Sequence, residues 1–172
     1  LASEIVRQAK ENHGVTPDQL LIDVNAYPIG SESLEGLNFC AETLKCLPLI
    51  KAIHPDLKTS VGVGNLTNGL ASKPYMRKVL TSVFLDEARK AGLDCAILNP
   101  HHYVPLESLT ESDVKLARKV ILDRDMTAFE ELEVIAQTKK TGVQIKKIDY
   151  DDLALEESIC QRIKDGFKQK EE

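Results

Sequence analysis

Three short apolar segments of the chain each end in polar residues that form hydrogen bonds well. These residues are Asp23, Asn25, Asn65 and Asn99. A carboxylate accepts hydrogen bonds, whereas an amide both donates and accepts them. The set contains no nucleophile, no obvious base and no cluster of metal ligands, so no metal site is expected. It suits the binding of a flat heterocycle that carries alternating donors and acceptors.

Two glycines surround the end of the second apolar segment. Gly62 and Gly64 would let a planar ring lie close to the backbone, because they carry no side chain. Arg77, near the start of a predicted helix, is either a solvated charge or a partner for an anionic end of the ligand. The alternative for the whole set is structural: the asparagines would cap loops and the glycines would ease packing.

Other motifs indicate less. Gly62, Gly64 and Gly69 do not match the GxGxxG pattern of dinucleotide-binding proteins. The adjacent His101 and His102 point apart on an extended chain, and no third ligand lies near them, so a zinc site is not expected.

The elements that would position these residues alternate between strand and helix. Strands are predicted at Leu20–Ile22, Thr59–Val63 and Cys95–Leu98, at nearly equal intervals. Helices are predicted from about Ser33 to Ile53, where Pro48 should bend or interrupt the helix, and from Pro74 to just before Gly92. Successive βα units indicate a parallel sheet with right-handed crossovers, in either a doubly wound fold or part of a barrel. Both folds bind ligands at the carboxyl ends of the strands, where the polar residues would converge.

The remaining segments are predicted to be mostly helical. The first helix spans Ala2 to His13 and stops at Gly14. Capping boxes at Thr110 and Thr127 open helices that run to about Leu122 and Lys140. The stretch from Lys139 to Asp152 is the candidate linker, 143–148 is expected to be extended, and Leu153 to Ile163 forms an amphipathic helix. We therefore expect one domain over residues 1–140 and a linker with a helix over 141–172.

The composition excludes several classes of function. The chain has 172 residues, 42% hydrophobic and 28% charged, with a net charge of −5. An acidic chain does not favour nucleic acid or anionic membranes, and we find no apolar run long enough to span a bilayer. The four cysteines form no CxxC pair, so we interpret them as reduced core thiols of a cytoplasmic protein. The chain begins with Leu1 inside a helical pattern, which suggests a fragment or a processed protein.

Four motifs in order resemble a known family. The first strand end, 21–25, resembles the DPN or DPL strand of methyltetrahydrofolate:corrinoid methyltransferases and of the methionine synthase folate domain. Residues 61–67 resemble their GxSNVS strand end. Arg77, then 83–85, then 91–99 resemble the family's R…FL…A…GLD.AI.N stretch. The similarity covers about Glu4 to Lys140.

The resemblance implies roles for individual residues. Asp23 matches the aspartate that binds the pterin ring, and Asn65 matches the asparagine that reaches the methyl-bearing nitrogen, N5. Gly62 and Gly64 match the backbone beneath the pterin, although Gly64 replaces the usual serine, so no side-chain contact is expected there. Asn25 and Asn99 occupy positions next to those that match the pterin-binding residues of the family.

The resemblance also implies a fold and a reaction. The three strands would be the sixth to eighth of a (β/α)8 barrel, so this stretch would be its C-terminal part and would leave one sheet face and both edges open. The implied enzyme transfers the N5-methyl group of methyltetrahydrofolate to a corrinoid, such as cobalamin, on another domain or protein. The segment 149–166 resembles the lead-in to a corrinoid-binding cap, although the corrinoid DxHxxG motif is absent, and a homodimer is expected.

Two alternatives stay open at this point. One is a dihydropteroate synthase-like enzyme, which would share the barrel. That group carries a lysine after the seventh strand and Arg-x-His at the eighth, whereas this chain has 65–67 as Asn-Leu-Thr and 99–101 as Asn-Pro-His. The other is a non-catalytic fragment that docks a corrinoid protein or a dimer partner. The sequence does not indicate the final methyl acceptor.

Overall fold

The three predicted strands form one parallel sheet in chain order. They are β1 (Leu21–Val24), β2 (Lys58–Gly62) and β3 (Cys95–Ile97), and β2 lies in the centre. Asp23 is in register with Ser60 of β2, which is itself in register with Cys95 of β3. The parallel α/β fold class predicted from the alternating pattern is confirmed, while closure into a barrel stays a prediction.

The computed structural model describes residues 1–29, 37–139, 154–157 and 159. The chain divides into two compact units, Leu1–Lys140 and Thr141–Glu172. The predicted extended segment 143–148 lies outside the described residues, as do most of the predicted linker and the helix predicted at Leu153–Ile163. The sheet belongs to the first unit.

Among the described residues of the first unit, helices cover one face of the sheet. Val61 of β2 is fully buried on that face, beside the half-buried Val24 of β1 and Ala96 of β3. On the opposite face, Leu21 is 54% and Ile97 71% exposed. This one-sided burial follows the alternation of side chains along each strand. It is the open face that we expected for three strands of a larger sheet.

Two of the predicted helices are confirmed at both ends. Helix α1 spans Ala2–His13, and Gly14 ends it with a left-handed φ of 66°. Helix α3 spans Pro74–Lys90 and carries Phe84 into the centre of the core. The fully buried core side chains include Leu47, Leu57, Val61, Met76, Val79, Leu80, Val83, Phe84, Ile121 and Leu132.

Helix α2 begins later than predicted and is not interrupted. It spans Phe39–Ile53, with Asn38 as the cap that accepts a hydrogen bond from the Ala41 N–H at 3.1 Å. Leu37, which falls inside the predicted helix, precedes the observed one and is exposed. Pro48 lies inside the continuous helix. Its missing N–H costs about 3 kcal/mol, and burial of side chains on the opposite face of α2, among them Leu47, offsets that cost.

The last two helices meet at a turn that the sequence patterns did not reveal. Helix α4 is Glu111–Arg118, and Thr110 caps it as predicted. A single π-helical turn, Lys119–Asp123, follows and ends at Arg124 with a positive φ of 55°. Helix α5, Met126–Thr138, is capped by Asp125 rather than by the predicted Thr127. The left-handed Arg124 reverses the chain early, so the helix begins before Thr127.

Asp94 joins β2 to β3 at the amino end of the sheet. Its carboxylate accepts from the Thr59 N–H at 2.8 Å and from Lys51 Nζ at 2.5 Å. Burial alone raises the pKa of Asp94, but the hydrogen bonds from Lys51 and Thr59 outweigh burial and hold it below its usual value. Gly92, with a φ of 105°, provides the turn that precedes this residue. The Gly-Leu-Asp motif therefore has a structural role.

The cysteines only partly match their predicted place in the core. Cys40 is buried, which raises the pKa of its thiol to about 12 and makes it unreactive. Cys46 and Cys95 are exposed, so their interpretation as core thiols is wrong. Cys95 lies on the open face of the sheet, and Cys160 lies outside the described residues. None of the described helices has both the length and the apolar character needed to cross a membrane.

Candidate functional site

The four polar residues predicted to converge lie at one edge of the sheet. Asp23 is the third residue of β1 and Asn25 follows its end, while Asn99 follows the end of β3. Asn65 lies in a 3-10 turn, Val63–Thr67, directly after β2. The strands are parallel and adjacent, so their carboxyl ends share an edge. All four side chains are exposed.

Asp23 has a partner that the sequence patterns did not single out. The Ser60 hydroxyl of β2 donates a hydrogen bond to Asp23 Oδ1. Ser60 is buried and is the register partner of Asp23 across the strand pair. This bond fixes one carboxylate oxygen on the open face and leaves the other available to a ligand. The alternation of side chains, with Ser60 two residues before Gly62, is the signal that would have placed it on this face.

The turn after β2 exposes Asn65 while its neighbours are anchored. Val63, Leu66 and Thr67 are buried, and the Leu66 carbonyl accepts from the Ile29 N–H at 2.9 Å. The Asn65 side chain makes no hydrogen bond to any described residue. A Cβ built on Gly62 would lie 3.6 Å from Asn65 Nδ2, so the amide lies beside the last residue of β2. The amide is therefore available to a ligand at the strand end.

The two glycines differ in what surrounds them. At Gly62 the nearest atom to an added Cβ is the Asn65 amide, whereas at Gly64 no heavy atom lies within 4 Å. Neither has a positive φ, so backbone conformation does not require glycine at either position. Packing within the described part of the chain does not require it at Gly64. The described residues therefore give no support at Gly64 to the structural alternative that glycine eases packing.

Asn99 and Asn25 each form a hydrogen bond within the fold. The Asn99 side chain caps the short turn Pro100–His102 by accepting from the His101 N–H at 3.0 Å. The loop-capping alternative therefore holds for Asn99, although its Nδ2 has no partner among the described residues. The backbone carbonyl of Asn25 accepts from Thr43 Oγ1 at 3.0 Å, which fixes this position against α2.

Arg77 reaches back to the turn that carries Asn65. It lies in the first two turns of α3, is half-buried, and donates from Nε to Thr67 Oγ1 at 3.2 Å. Its surroundings are positive: burial lowers the pKa of His102, and the charges of Arg77, His101 and Lys78 lower it further. In the described part of the chain no three His, Cys, Asp or Glu side chains group as metal ligands.

A groove of about 490 Å³ runs along the free edge of β1. Helices α1 and α2 form its sides, and apolar side chains dominate its lining, among them Ile5, Ile22, Leu49 and Ile53. Asp23 and Asn25 lie at its border. The outer edge of β1 carries backbone N–H and C=O groups that have no strand partner among the described residues, as in any edge strand.

Comparison with known proteins gives relatives over almost the whole chain. It is 31% identical over 172 residues to the methionine synthase of Mycobacterium tuberculosis (strain ATCC 25618 / H37Rv), and 28% identical over 171 residues to that of Mycobacterium leprae (strain TN). Over 129 residues, which are 75% of this chain, it is 26% identical to the methylcorrinoid:tetrahydrofolate methyltransferase of Eubacterium limosum. No family model matches the chain.

The chain is homologous to a segment of these methyltransferases. The match to each methionine synthase covers 96% of this chain but only 14% of the length of the methionine synthase. The match to the methylcorrinoid:tetrahydrofolate methyltransferase covers 44% of the length of that protein. The resemblance seen in the four motifs is confirmed, and it extends over only part of the length of these relatives.

Proposed function

We propose that this chain is the C-terminal part of a pterin-binding (β/α)8 barrel that binds methyltetrahydrofolate and transfers its N5-methyl group to a corrinoid. The convergence of Asp23 and Asn65 at one edge of a parallel sheet is the observation that carries the proposal. Both side chains are exposed and face open space, where a ligand would lie. The name of the Eubacterium limosum relative pairs a methylcorrinoid with tetrahydrofolate and supports methyl exchange between a folate and a corrinoid. In that name the methylcorrinoid is the donor, so the direction of transfer is part of our proposal.

The open sheet supports the barrel. Leu21 and Ile97 expose large apolar surfaces on the uncovered face, where a barrel would place its interior. The groove beside β1 is apolar and lies along a strand edge. Further βα units would cover both surfaces. Burying an exposed leucine or isoleucine side chain contributes about 1.5–3 kcal/mol, so completion of the barrel would stabilise this segment substantially.

Asp23 would hold the pterin ring. A pterin carries N–H groups along one edge, and the carboxylate oxygens of Asp23 would accept from them. Ser60 already engages one oxygen, which orients the carboxylate before the ligand arrives. A hydrogen bond to a charged acceptor contributes about 1.5–3 kcal/mol.

Asn65 would act at the reacting nitrogen. When bound, a reduced corrinoid would supply the electron pair for the new bond to the methyl carbon. The electron pair of the broken C–N bond would stay on N5, which would take a proton from solvent. The amide of Asn65 does not titrate, so it is not a general acid. It both donates and accepts, and it would stabilise N5 more in the transition state than in the ground state.

The other predicted positions have smaller roles. Gly62 and Gly64 would leave room for the ring against the backbone, which agrees with the open space above Gly64. Asn25 and the free Nδ2 of Asn99 would contact the edge of the ligand. Arg77 donates from Nε to Thr67 Oγ1. Its contact with an anionic end of the ligand stays a prediction.

The corrinoid would be carried by another domain or protein. The name of the Eubacterium limosum relative, a methylcorrinoid:tetrahydrofolate methyltransferase, supports a corrinoid partner. A homodimer of the complete protein is part of the same proposal.

Binding of methyltetrahydrofolate to the full-length protein, measured by calorimetry, tests the proposal. Asp23→Asn should weaken binding about 10- to 150-fold, which corresponds to the loss of one charged hydrogen bond. Asp18→Asn is the matched control, because Asp18 precedes the same strand and is also exposed. It should bind normally.

Other outcomes would point elsewhere. Failure of the folded full-length protein to bind methyltetrahydrofolate would favour the non-catalytic docking fragment. Condensation of a pterin pyrophosphate with p-aminobenzoate would favour the dihydropteroate synthase-like alternative. Equal weakening by Asp18→Asn and Asp23→Asn would remove Asp23 from the site.

A further inference from the structure

The turn that presents Asn65 is held from three directions. Leu66 and Thr67 insert into the core and are almost fully buried. The Ile29 N–H, in the loop after β1, donates to the Leu66 carbonyl at 2.9 Å. From the third direction, Arg77 of α3 donates from Nε to Thr67 Oγ1 at 3.2 Å. Within the described residues this is the one side-chain hydrogen bond that the turn receives.

Asn65 depends on these anchors. Its side chain is exposed and has no hydrogen bond to a described residue, so the turn backbone sets the position from which the amide projects. The backbone closes through the Asn68 N–H, which donates to the Asn65 carbonyl at 3.2 Å, and the Leu70 N–H, which donates to the Thr67 carbonyl at 3.1 Å. A shift of Thr67 would therefore move Asn65.

We propose that Arg77 is a positioning residue that acts through Thr67 to fix the Asn65 amide. The inference rests on the proposed function of Asn65. Groups that stabilise a transition state act best when they are held in place before the reaction, because no reorganisation is then needed. Half-buried Arg77 is well suited to this task, since its planar guanidinium loses little freedom when it forms a directed hydrogen bond.

This role differs from the ligand contact that the sequence motifs suggested for Arg77. A ligand contact would act on affinity and would not depend on Thr67. A positioning role acts on the rate of methyl transfer and disappears when Thr67 lacks its hydroxyl. The two roles therefore predict different kinetics for the same variants.

The first test needs no ligand and is independent of the proposed function. Amide hydrogen exchange of Asn68 and Leu70 is measured in the full-length protein without ligand. Thr67→Val keeps the shape but removes the acceptor, and should accelerate exchange about tenfold; Arg77→Met should do the same. Thr67→Ser keeps the hydroxyl and should exchange like the parent chain. Unchanged exchange in both Thr67→Val and Arg77→Met would overturn the proposal.

The second test is a double-mutant cycle on methyl transfer in the full-length protein. Thr67→Val and Arg77→Met should each lower kcat about tenfold with little change in affinity, and the double variant should lose no more than the worse single variant. Additive losses, or a loss confined to affinity in Arg77→Met, would show that Arg77 contacts the ligand directly and would overturn the proposal. An inactive parent protein with the expected exchange pattern would contradict only the proposed function.

Discussion

Replacement of Asn65 by alanine should impair methyl transfer without impairing the fold. The Asn65 side chain is exposed and makes no hydrogen bond to any described residue, so its removal should change the free energy of unfolding by less than about 0.5 kcal/mol. The alanine Cβ lies in the same exposed turn and disturbs none of the anchors at Leu66 and Thr67. Any large functional effect must therefore come from lost contact with the ligand.

The expected functional loss follows from the role of the amide. Removal of a preorganised donor at a developing charge costs about 2–4 kcal/mol of transition-state stabilisation. At 1.36 kcal/mol per factor of ten, this is a decrease of about 30- to 900-fold in kcat. Affinity for methyltetrahydrofolate should decrease much less, because Asp23 would still hold the ring.

The assay measures single-turnover methyl transfer to a reduced corrinoid in the full-length protein, with affinity measured separately by calorimetry. Asn68→Ala is the matched control, because Asn68 is an exposed asparagine three residues further along the same loop. Turnover that is unchanged in a folded Asn65→Ala protein would refute the role of the amide. An equal loss in Asn68→Ala would show that the loop is sensitive to any substitution.

Two further predictions follow from the hydrogen-bond networks. Ser60→Ala removes the donor that orients Asp23 and should weaken methyltetrahydrofolate binding about tenfold by calorimetry, and unchanged affinity would show that Asp23 needs no orientation. Asp113→Asn should lower the free energy of unfolding, measured in urea, by about 3 kcal/mol. The buried Asp113 carboxylate accepts hydrogen bonds from Tyr75 Oη and Lys139 Nζ, both at 2.6 Å. The expected loss is at the low end for a broken buried ion pair because Lys139 is 35% exposed. Although burial raises the pKa of Asp113, the hydrogen bonds from Lys139 and Tyr75 hold it below its usual value, so its contribution is present above the unfolded pKa of about 3.9 and lost as the pH falls through the folded pKa. The parent chain should therefore lose more stability on acidification than Asp113→Asn, and parallel pH profiles would contradict this reasoning.

Local pattern predicted the order of elements well. Helix α1 ends at Gly14 as expected, because a left-handed residue after the last turn is a local signal. The parallel sheet follows from repeated βα units at nearly equal intervals. The start of α2 and the cap of α5 were wrong, because those boundaries depend on contacts far along the chain. Asn38 of the α2 cap donates to the carbonyls of Ile121 and Leu122, which no local pattern reveals.

The candidate site, like the fold, was predictable only in part from the sequence. The sequence alone determined that Asp23, Asn25, Asn65 and Asn99 follow apolar strands, because the change from apolar to polar residues is local. Only the tertiary structure decided which of them are available. Asn99 is occupied as a cap, Ser60 engages Asp23, and Arg77 turns toward Thr67. These partners come from other strands and helices, and a hydrogen bond depends on distance and angle, which packing sets and sequence spacing does not.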